Sequence, residues 1–311
     1  MTFDLHRAST SGGDVAFADL GDGPPVLLLH GFPQSSFVWR DLAPLLATRF
    51  RVIAPDLVGT GDSDKPVDVP LTLAAQTGYM REVLDALGVD RFAAIGHGIG
   101  GGIAQRLALD DGGADALVLI DAVAFDAWPS DAIREVQGTR RGQETEPLVR
   151  AAVRAALTAG MGHPQRLTDE VLSEYLRQFD GPEGAAAFFR FVRALDGRGL
   201  VDREEDLGRL EIPVLIFWGE DDPFLPPAVA ERLNAAIPSS TLGLVPGCGH
   251  FLIDDAVETI GPMIHEYLRA RYLRSPHGHG DPTGAVIIQL ERRPPWLDLE
   301  DDKDGDDEED V

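Results

Sequence analysis

The chain is poor in cysteine and lysine and has no long apolar run. Its single cysteine, Cys248, excludes an internal disulfide and any metal site built from several cysteines. No apolar run approaches the roughly 18 residues that a membrane-spanning helix requires. The N-terminus also lacks the basic segment and apolar stretch of a signal peptide. We therefore expect a cytoplasmic protein without a membrane partner.

Positive charge is scarce as well. The chain has 27 Lys and Arg residues against 52 Asp and Glu residues, a formal net charge of −25, and lysine occurs only as Lys65 and Lys303. Such a charge disfavours nucleic acid as a partner. Residues 297–311 are dominated by carboxylates, which repel one another and bury little apolar surface. We expect a C-terminal extension over residues 274–311 that ends in a disordered acidic tail.

Strand-like and helix-like segments alternate through most of the sequence. Apolar runs at residues 14–20, 25–31 and 51–57 are followed by FAAIG, ALVLI, VLIFW and TLGLV, with helical periodicity between them, as at residues 71–88. Such alternation is typical of βαβ units and a mostly parallel sheet. The sequence therefore predicts an α/β fold.

One long region interrupts this alternation. Residues 124–210 contain helical stretches and Gly/Pro turns but no convincing strand, which predicts a helical lid inserted into the sheet. The core would then comprise residues 1–123 and 211–273. Within residues 275–296, AVIIQL is ambiguous and is left open as an edge strand.

The most informative motif is IGHGIGG, residues 95–101. It has the strand, glycine-rich corner and helix of a nucleophile elbow, in which the middle residue of G-x-Nuc-x-G presents a reactive side chain. Gly98, which has no side chain, occupies that middle position. Gly96 and Gly100 fit the close packing of strand and helix that the corner needs.

Four further motifs follow other predicted strands: HGFPQSSFVW, PDLVGTGDSDKP, WGEDDPFLP and PGCGHFL. Together with the elbow, and in this order, they resemble the α/β-hydrolase superfamily over roughly residues 12–273. The resemblance is greatest to the lid-bearing branch that contains haloalkane dehalogenases, epoxide hydrolases and related esterases. It implies the α/β-hydrolase fold, a mostly parallel eight-stranded sheet flanked by helices with an inserted helical lid. It also implies a small-molecule substrate, and we expect no cofactor.

The resemblance assigns roles to several residues. His250 would be the general base and Asp222 the acid that orients it, with Asp121 as an alternative acid. The backbone N–H groups of Phe32 and Ile99 would form the oxyanion hole. Cys248 lies on the loop of the histidine and is read as a packed thiol.

The pocket is predicted to be partly apolar. His30 is placed at its lining, although a structural role is favoured for it over proton transfer. Trp39, Trp128 and Trp218 are expected to line or border the pocket, although core packing alone would also explain them. The H-x-H-x-D spacing of His277, His279 and Asp281 could hold a metal, but no further ligand is evident and we expect no metal site.

Glycine at position 98 changes the chemistry that the resemblance implies. An aspartate there would form an ester with substrate and a serine an acyl-enzyme, whereas glycine can form neither. Dehalogenases commonly carry tryptophan where Ile99 stands, and epoxide hydrolases use two lid tyrosines where this lid has only Tyr175. Three interpretations remain open: a hydrolase for a small apolar ester or carbon–halide substrate that has lost its nucleophile, a lyase or hydratase that uses His250 as base, and a non-catalytic binding protein.

Overall fold

The computed structural model describes residues 3–110, 113–273 and 286–289. In these residues nine strands form one sheet: β1 (Leu5–Thr10), β2 (Gly13–Leu20), β3 (Pro25–Leu29), β4 (Arg51–Pro55), β5 (Phe92–His97), β6 (Ala114–Ile120), β7 (Val214–Gly219), β8 (Ser240–Val245) and β9 (Val286–Gln289). The strand order is β1-β2-β4-β3-β5-β6-β7-β8-β9. Strand β2 is antiparallel to β1 and β4, and every other pairing is parallel.

The eight-stranded, mostly parallel sheet is confirmed in β1 to β8. Strand β1 was not recognised in the sequence because only Ala8 of its six residues is buried, so it has no apolar alternation to detect. AVIIQL, which was left open, contributes β9, which pairs in parallel with β8. By contrast, all residues of β5 and β7 are buried, as the continuous apolar runs in the sequence predicted.

The described residues also form ten α-helices: α1 (Leu42–Leu46), α2 (Leu73–Ala86), α3 (Ile99–Asp110), α4 (Asp131–Gln137), α5 (Glu146–Gly160), α6 (Asp169–Arg177), α7 (Gly181–Ala194), α8 (Glu204–Leu207), α9 (Ala228–Ala236) and α10 (Leu252–Arg271). Helices α2, α3 and α9 contribute to the apolar core on one face of the sheet. Helices α1 and α10 pack on the other. The sheet is thus covered on both faces, which explains its continuous apolar strands.

Helices α4 to α8 form a helical insert between β6 and β7, as the lack of strand patterns over residues 124–210 predicted. Helix α7 packs against both α4 and α5. Buried phenylalanines of α7 continue the core that α1 and α10 share. The insert therefore packs on the sheet domain and covers the carboxyl ends of its central strands.

No helix in the described part of the chain has the length and apolar character needed to cross a membrane. The acidic tail and the H-x-H-x-D segment of His277, His279 and Asp281 lie outside the described residues. Within the described residues, no group of three or more His, Cys, Asp or Glu side chains is placed to hold a metal ion.

Candidate active site

The corner between β5 and α3 consists of a single residue, Gly98. Its φ of +53° lies in the left-handed region, which side chains with a Cβ adopt only with strain and glycine adopts freely. Close packing fixes the corner on both sides: a Cβ at Gly96 would lie 2.3 Å from the Gly100 carbonyl oxygen, and one at Gly100 would lie 2.1 Å from the Leu29 carbonyl oxygen. The glycines of IGHGIGG therefore bring α3 against β3 and β5, as the motif predicted.

The structure brings His250 and Asp222 together from the ends of two neighbouring strands. His250 Nδ1 lies 2.8 Å from Asp222 Oδ2, and Asp222 Oδ1 accepts hydrogen bonds from the backbone N–H groups of Phe224 and Leu225. Both carboxylate oxygens of Asp222 are thus hydrogen-bonded, and this fixes the orientation of the imidazole. Both residues are buried.

Asp255 holds the loop that carries the histidine. Its buried carboxylate accepts hydrogen bonds from the backbone N–H groups of Gly249, Gly162 and His163. Since Gly162 and His163 follow α5, this one carboxylate joins the histidine loop to the helical insert. Burial raises the pKa of Asp255, and its hydrogen bonds from backbone N–H groups oppose that rise.

The other ring nitrogen of His250 faces Gly98. A Cβ built on Gly98 would lie 3.6 Å from His250 Nε2 and 3.4 Å from Gly31 Cα, both ordinary van der Waals contacts. A side chain at position 98 would therefore project directly beside the imidazole. The elbow geometry expected from the sequence is present, with glycine at the position where the side chain would begin.

Phe32 and Ile99, the proposed oxyanion-hole residues, lie beside Gly98 at the same cavity. Ile99 is the first residue of α3, where helix N–H groups have no partner inside the helix and carry partial positive charge. Among the described residues, neither backbone N–H makes a hydrogen bond to a protein acceptor. Both donors are therefore available to a bound group.

A cavity of about 620 Å³ opens from this site into the helical insert. Gly98, Ile99 and His250 lie at its base, and α4, α5 and α7 supply half of the other lining residues. The remaining lining is largely apolar and includes Phe32, Val123, Trp128, Ile133, Val136, Ala152, Ala155, Ala156, Ala159, Phe188, Val192, Leu195, Phe224 and Phe251. Among the lining residues, only Glu135 and His250 have titratable side chains. The cavity therefore suits a small, mainly apolar molecule.

Three residues predicted at the pocket do not line this cavity, whereas Trp128 does. His30 is fully buried below the site; its Nδ1–H donates to the Gly31 carbonyl and its Nε2 accepts from the Leu57 N–H. Trp39 and Trp218 are fully buried in the core on opposite faces of the sheet. His30 directly follows β3, Trp39 lies in the helical turn Ser36–Arg40 and Trp218 lies within β7, and the sequence did not show that these three rings fill the core.

Asp121, the alternative acid, is not the partner of His250. Its Oδ1 accepts the Gly219 N–H at 2.8 Å, and it has a strained φ of +41°. Complete burial, followed by the nearby negative charge of Asp222, raises the pKa of the Asp121 carboxyl well above its usual range. Of the two aspartates that follow neighbouring strands, the structure pairs Asp222 with the histidine.

Tyr175, the lid tyrosine, is fully buried, and its hydroxyl donates to Asp254 at 2.8 Å. Asp254 also accepts hydrogen bonds from Arg40 and Gln34, so this tyrosine belongs to a buried polar network outside the cavity lining. Cys248 is buried as well, and that burial raises the pKa of its thiol. Cys248 is therefore a packed thiol, as expected.

The role of His97 was not predicted from the sequence. This fully buried residue precedes Gly98, and its ring Nε2 lies 2.8 Å from the backbone oxygen of His250, to which Nε2–H donates. Burial, reinforced by the neighbouring His250, lowers the pKa of His97 to about 3. His97 thus links the elbow directly to the histidine loop as a neutral ring. The sequence places it at an unconstrained position of the motif and gives no sign of its partner.

Comparisons with known proteins agree with this fold. The model of the alpha/beta hydrolase family matches residues 26–260. A soluble epoxide hydrolase from a Corynebacterium species is 31% identical over 83% of this chain and 97% of its own length. Haloalkane dehalogenase 2 of Mycobacterium tuberculosis is 29% identical over 85% of this chain and 94% of its own length. The crystal structure of an α/β hydrolase fold protein from Burkholderia ambifaria superposes with a TM-score of 0.78 at 34% identity, covering 85% of this chain and 98% of that one.

The chain therefore belongs to the α/β hydrolase family and is related to haloalkane dehalogenases and epoxide hydrolases. Membership of this family implies a small-molecule substrate.

Proposed function

We propose that this chain is an α/β-hydrolase-fold hydrolase, built for a small apolar substrate of the ester or carbon–halide type, in which Gly98 replaces the elbow nucleophile. Covalent catalysis at position 98 is then absent, because glycine has no atom that can attack substrate. Asp222 and His250 are the proposed acid and base, and the N–H groups of Phe32 and Ile99 form the proposed oxyanion hole.

The observation that carries this proposal is the alignment of Gly98 with a complete acid–base pair. His250 is oriented by Asp222 at 2.8 Å, while its Nε2 lies 3.6 Å from the position of a Cβ on Gly98. An imidazole held in this way can accept a proton from water and return it to a leaving group. An orienting acid adds nothing to simple ligand binding, so the pair favours a catalytic ancestry for this site.

Two features argue against assigning the activity of a haloalkane dehalogenase or an epoxide hydrolase to this chain. Ile99 occupies the position at which dehalogenases commonly carry a halide-binding tryptophan. Tyr175 donates its hydroxyl to Asp254 and does not line the cavity, so it is not placed to protonate an epoxide oxygen. The proposal therefore names the reaction type and leaves the particular substrate to a panel of esters and alkyl halides.

The test is to supply a nucleophile. Gly98→Asp should give hydrolysis of 1-bromoalkanes or activated esters, and Gly98→Ser should give hydrolysis of 4-nitrophenyl esters, because the new side chain would act with the proposed base, acid and oxyanion donors. Gly98→Ala is the matched control, since it adds the Cβ without a nucleophile. All three variants should lower the free energy of unfolding by about 1–3 kcal/mol through left-handed strain. Folded Gly98→Asp and Gly98→Ser variants without activity across the panel would refute the proposal.

A second candidate function is supported by the free face of His250. Its Nε2 borders the cavity and has no hydrogen-bond partner among the described residues, so a water molecule or a substrate C–H could lie against it. The chain as it stands would then act as a lyase or hydratase with His250 as base. This function requires turnover by the unmodified chain that His250→Ala abolishes. Ligand binding without turnover, unchanged by His250→Ala, would instead identify a binding protein.

A further inference from the structure

The groups around Gly98 form a receptor for a small anion. Phe32 and Ile99 both line the cavity beside Gly98, and their backbone N–H groups have no protein acceptor among the described residues. Ile99 also begins the 12-residue helix α3, whose N-terminus favours negative charge. Two backbone donors and a helix dipole at one point are the usual elements of an anion site.

His250 supplies an independent observation. This residue is 8% exposed, and Nδ1 is occupied by Asp222. Its Nε2 has no partner among the described residues and lies 3.6 Å from the position where a side chain on Gly98 would begin. When the ring takes up a proton, both nitrogens donate. The imidazolium would then donate to an anion at that position while Asp222 balances its charge.

The space beside Gly98 suits a small carboxylate. A Cβ bonded to Gly98 would meet its nearest neighbours at 3.4 and 3.6 Å, so the space beside this residue is open. The carbon of an unbonded ligand would lie farther from Cα, where the cavity continues. Formate, a single carbon with two oxygens, matches a carboxyl group detached from the backbone. The methyl group of acetate would approach Gly98 Cα more closely, because it is not bonded to that atom and needs full van der Waals separation.

We propose that the site at Gly98 binds a formate-sized carboxylate, which replaces the missing side chain and acts as an external nucleophile. In the catalytic step, which rests on the proposed function, a formate oxygen attacks the carbon of an alkyl bromide. The new C–O bond forms as the C–Br bond breaks, and bromide leaves with the bonding electrons. Because the formate ester carries no charge, the imidazolium then loses its Nε2 proton to solvent. Water attacks the formyl carbon while the neutral ring of His250 accepts the proton of that water and passes it to the departing alcohol oxygen, which releases formic acid and the alcohol.

The first experiment measures binding alone. Sodium formate labelled with ¹³C is titrated by NMR into the unmodified chain, with sodium acetate and sodium chloride as comparison ligands. A three-heavy-atom ligand reaches only about millimolar affinity. We expect saturable binding in that range, with formate bound at least several-fold more tightly than acetate or chloride. Absence of saturation, or equal affinity for chloride, would overturn the proposal.

Variants locate the binding site. Gly98→Ala adds a methyl group to the open space between Cα and the bound formate, so it should push formate away from His250 and weaken formate binding at least tenfold. Gly88→Ala is the control for backbone strain, because Gly88 has a similar φ of +64° with no atom within 4 Å of its added Cβ. His250→Gln should also weaken binding, which keeps the test decisive if Gly98→Ala folds poorly. Unchanged binding in folded Gly98→Ala or in His250→Gln would contradict the assignment.

The second experiment follows an isotope. With ¹⁸O-labelled formate and 1-bromobutane, the unmodified chain should release bromide in a formate-dependent, saturable manner, and the 1-butanol should carry ¹⁸O. Oxygen derived only from water would overturn the nucleophilic role, because direct hydration by His250 gives that label. The two hypotheses can fail separately. Active Gly98→Asp without formate binding would refute only the anion site. Formate binding with no turnover by any variant would refute the hydrolase proposal together with the nucleophilic step that depends on it, and would leave the anion site standing.

Discussion

Two parts of the helical insert differ in how firmly they are held. Helix α6 has Leu172, Tyr175 and Leu176 buried, and the tyrosine hydroxyl donates to Asp254. Helix α4, by contrast, contains no buried residue, and its Ile133 and Val136 line the cavity. The base of the cavity is held as firmly as α6, because backbone groups and buried carboxylates surround Gly98 and His250. We infer an anchored half that positions the chemistry and an open half that admits and selects the ligand.

This comparison implies that substitutions in the anchored half should change stability, whereas substitutions in the open half should change ligand entry. The buried polar groups of the anchored half have partners that cannot be replaced by water when one is removed. The small and exposed side chains of α5, by contrast, can grow into the cavity at little cost to folding. Three substitutions test this division, beginning with the largest expected effect.

Asp254→Ala should destabilise the protein most. It removes the buried acceptor shared by Arg40, Gln34 and Tyr175, and leaves the Arg40 guanidinium, 15% exposed, without its buried partner. Breaking a buried ion pair in this way costs about 3–5 kcal/mol. Denaturant unfolding measures the loss, and Asp180→Ala, which breaks the exposed pair with Arg150, should cost less than about 1 kcal/mol. Similar losses in both variants would contradict the special role of the α6 anchor.

The next test concerns the base of the cavity. His97→Leu removes the donor to the His250 carbonyl and should lower the free energy of unfolding by about 1–3 kcal/mol, the cost of an unsatisfied buried acceptor. His97→Gln can place an amide N–H near the same carbonyl and should recover part of that loss. Equal losses in the two variants would show that ring packing, and not the hydrogen bond, is what His97 contributes.

His97 also gives the stability of the protein a defined pH dependence. Burial lowers its pKa from 6.5 to about 3 in the folded chain, so between these values the unfolded chain binds a proton that the folded chain does not. The free energy of unfolding should therefore fall as the pH drops through this window, by up to about 1.4 kcal/mol per pH unit from this group. Urea titrations from pH 7 to pH 4 should show a shallower slope in His97→Gln than in the parent chain. Identical slopes would contradict the shifted titration.

The same division explains what the sequence could predict. Buried parallel strands such as β5 and β7 appear as continuous apolar runs, and the order of elbow, acid and histidine follows from chain position, so the fold and the Asp222–His250 pairing were predictable. Strand β1 was not, because its residues are mostly exposed and its pairing with β2 comes from backbone hydrogen bonds. Side-chain direction was the main source of error. His30 and Trp39 follow the correct strands but turn into the core, whereas Trp128 turns into the cavity.

Hydrogen bonds between residues far apart in the sequence could not be predicted either. Tyr175 and Asp254 are 79 residues apart, and the ring of His97 meets a backbone oxygen 153 residues away. No local pattern marks such pairs, because each residue type is ordinary for its own element. Asp121 and Asp222 both follow strands of the parallel sheet, and only the observed contact with His250 Nδ1 distinguishes them.

The open half supplies the smallest effect on stability and the sharpest test of the division. Ala155 is exposed on α5 and lines the cavity, so Ala155→Phe should narrow its entrance while changing the free energy of unfolding by less than about 0.5 kcal/mol. Stopped-flow fluorescence with 1-naphthol, a neutral aromatic probe, should show association and dissociation slowed several-fold, with a smaller change in affinity, because both steps pass the same constriction. Ala151→Phe, one turn earlier on the same helix and outside the cavity lining, is the matched control. If both variants slow the probe equally, or if Ala155→Phe slows neither step, then ligands enter by another route and the open half is not the entrance.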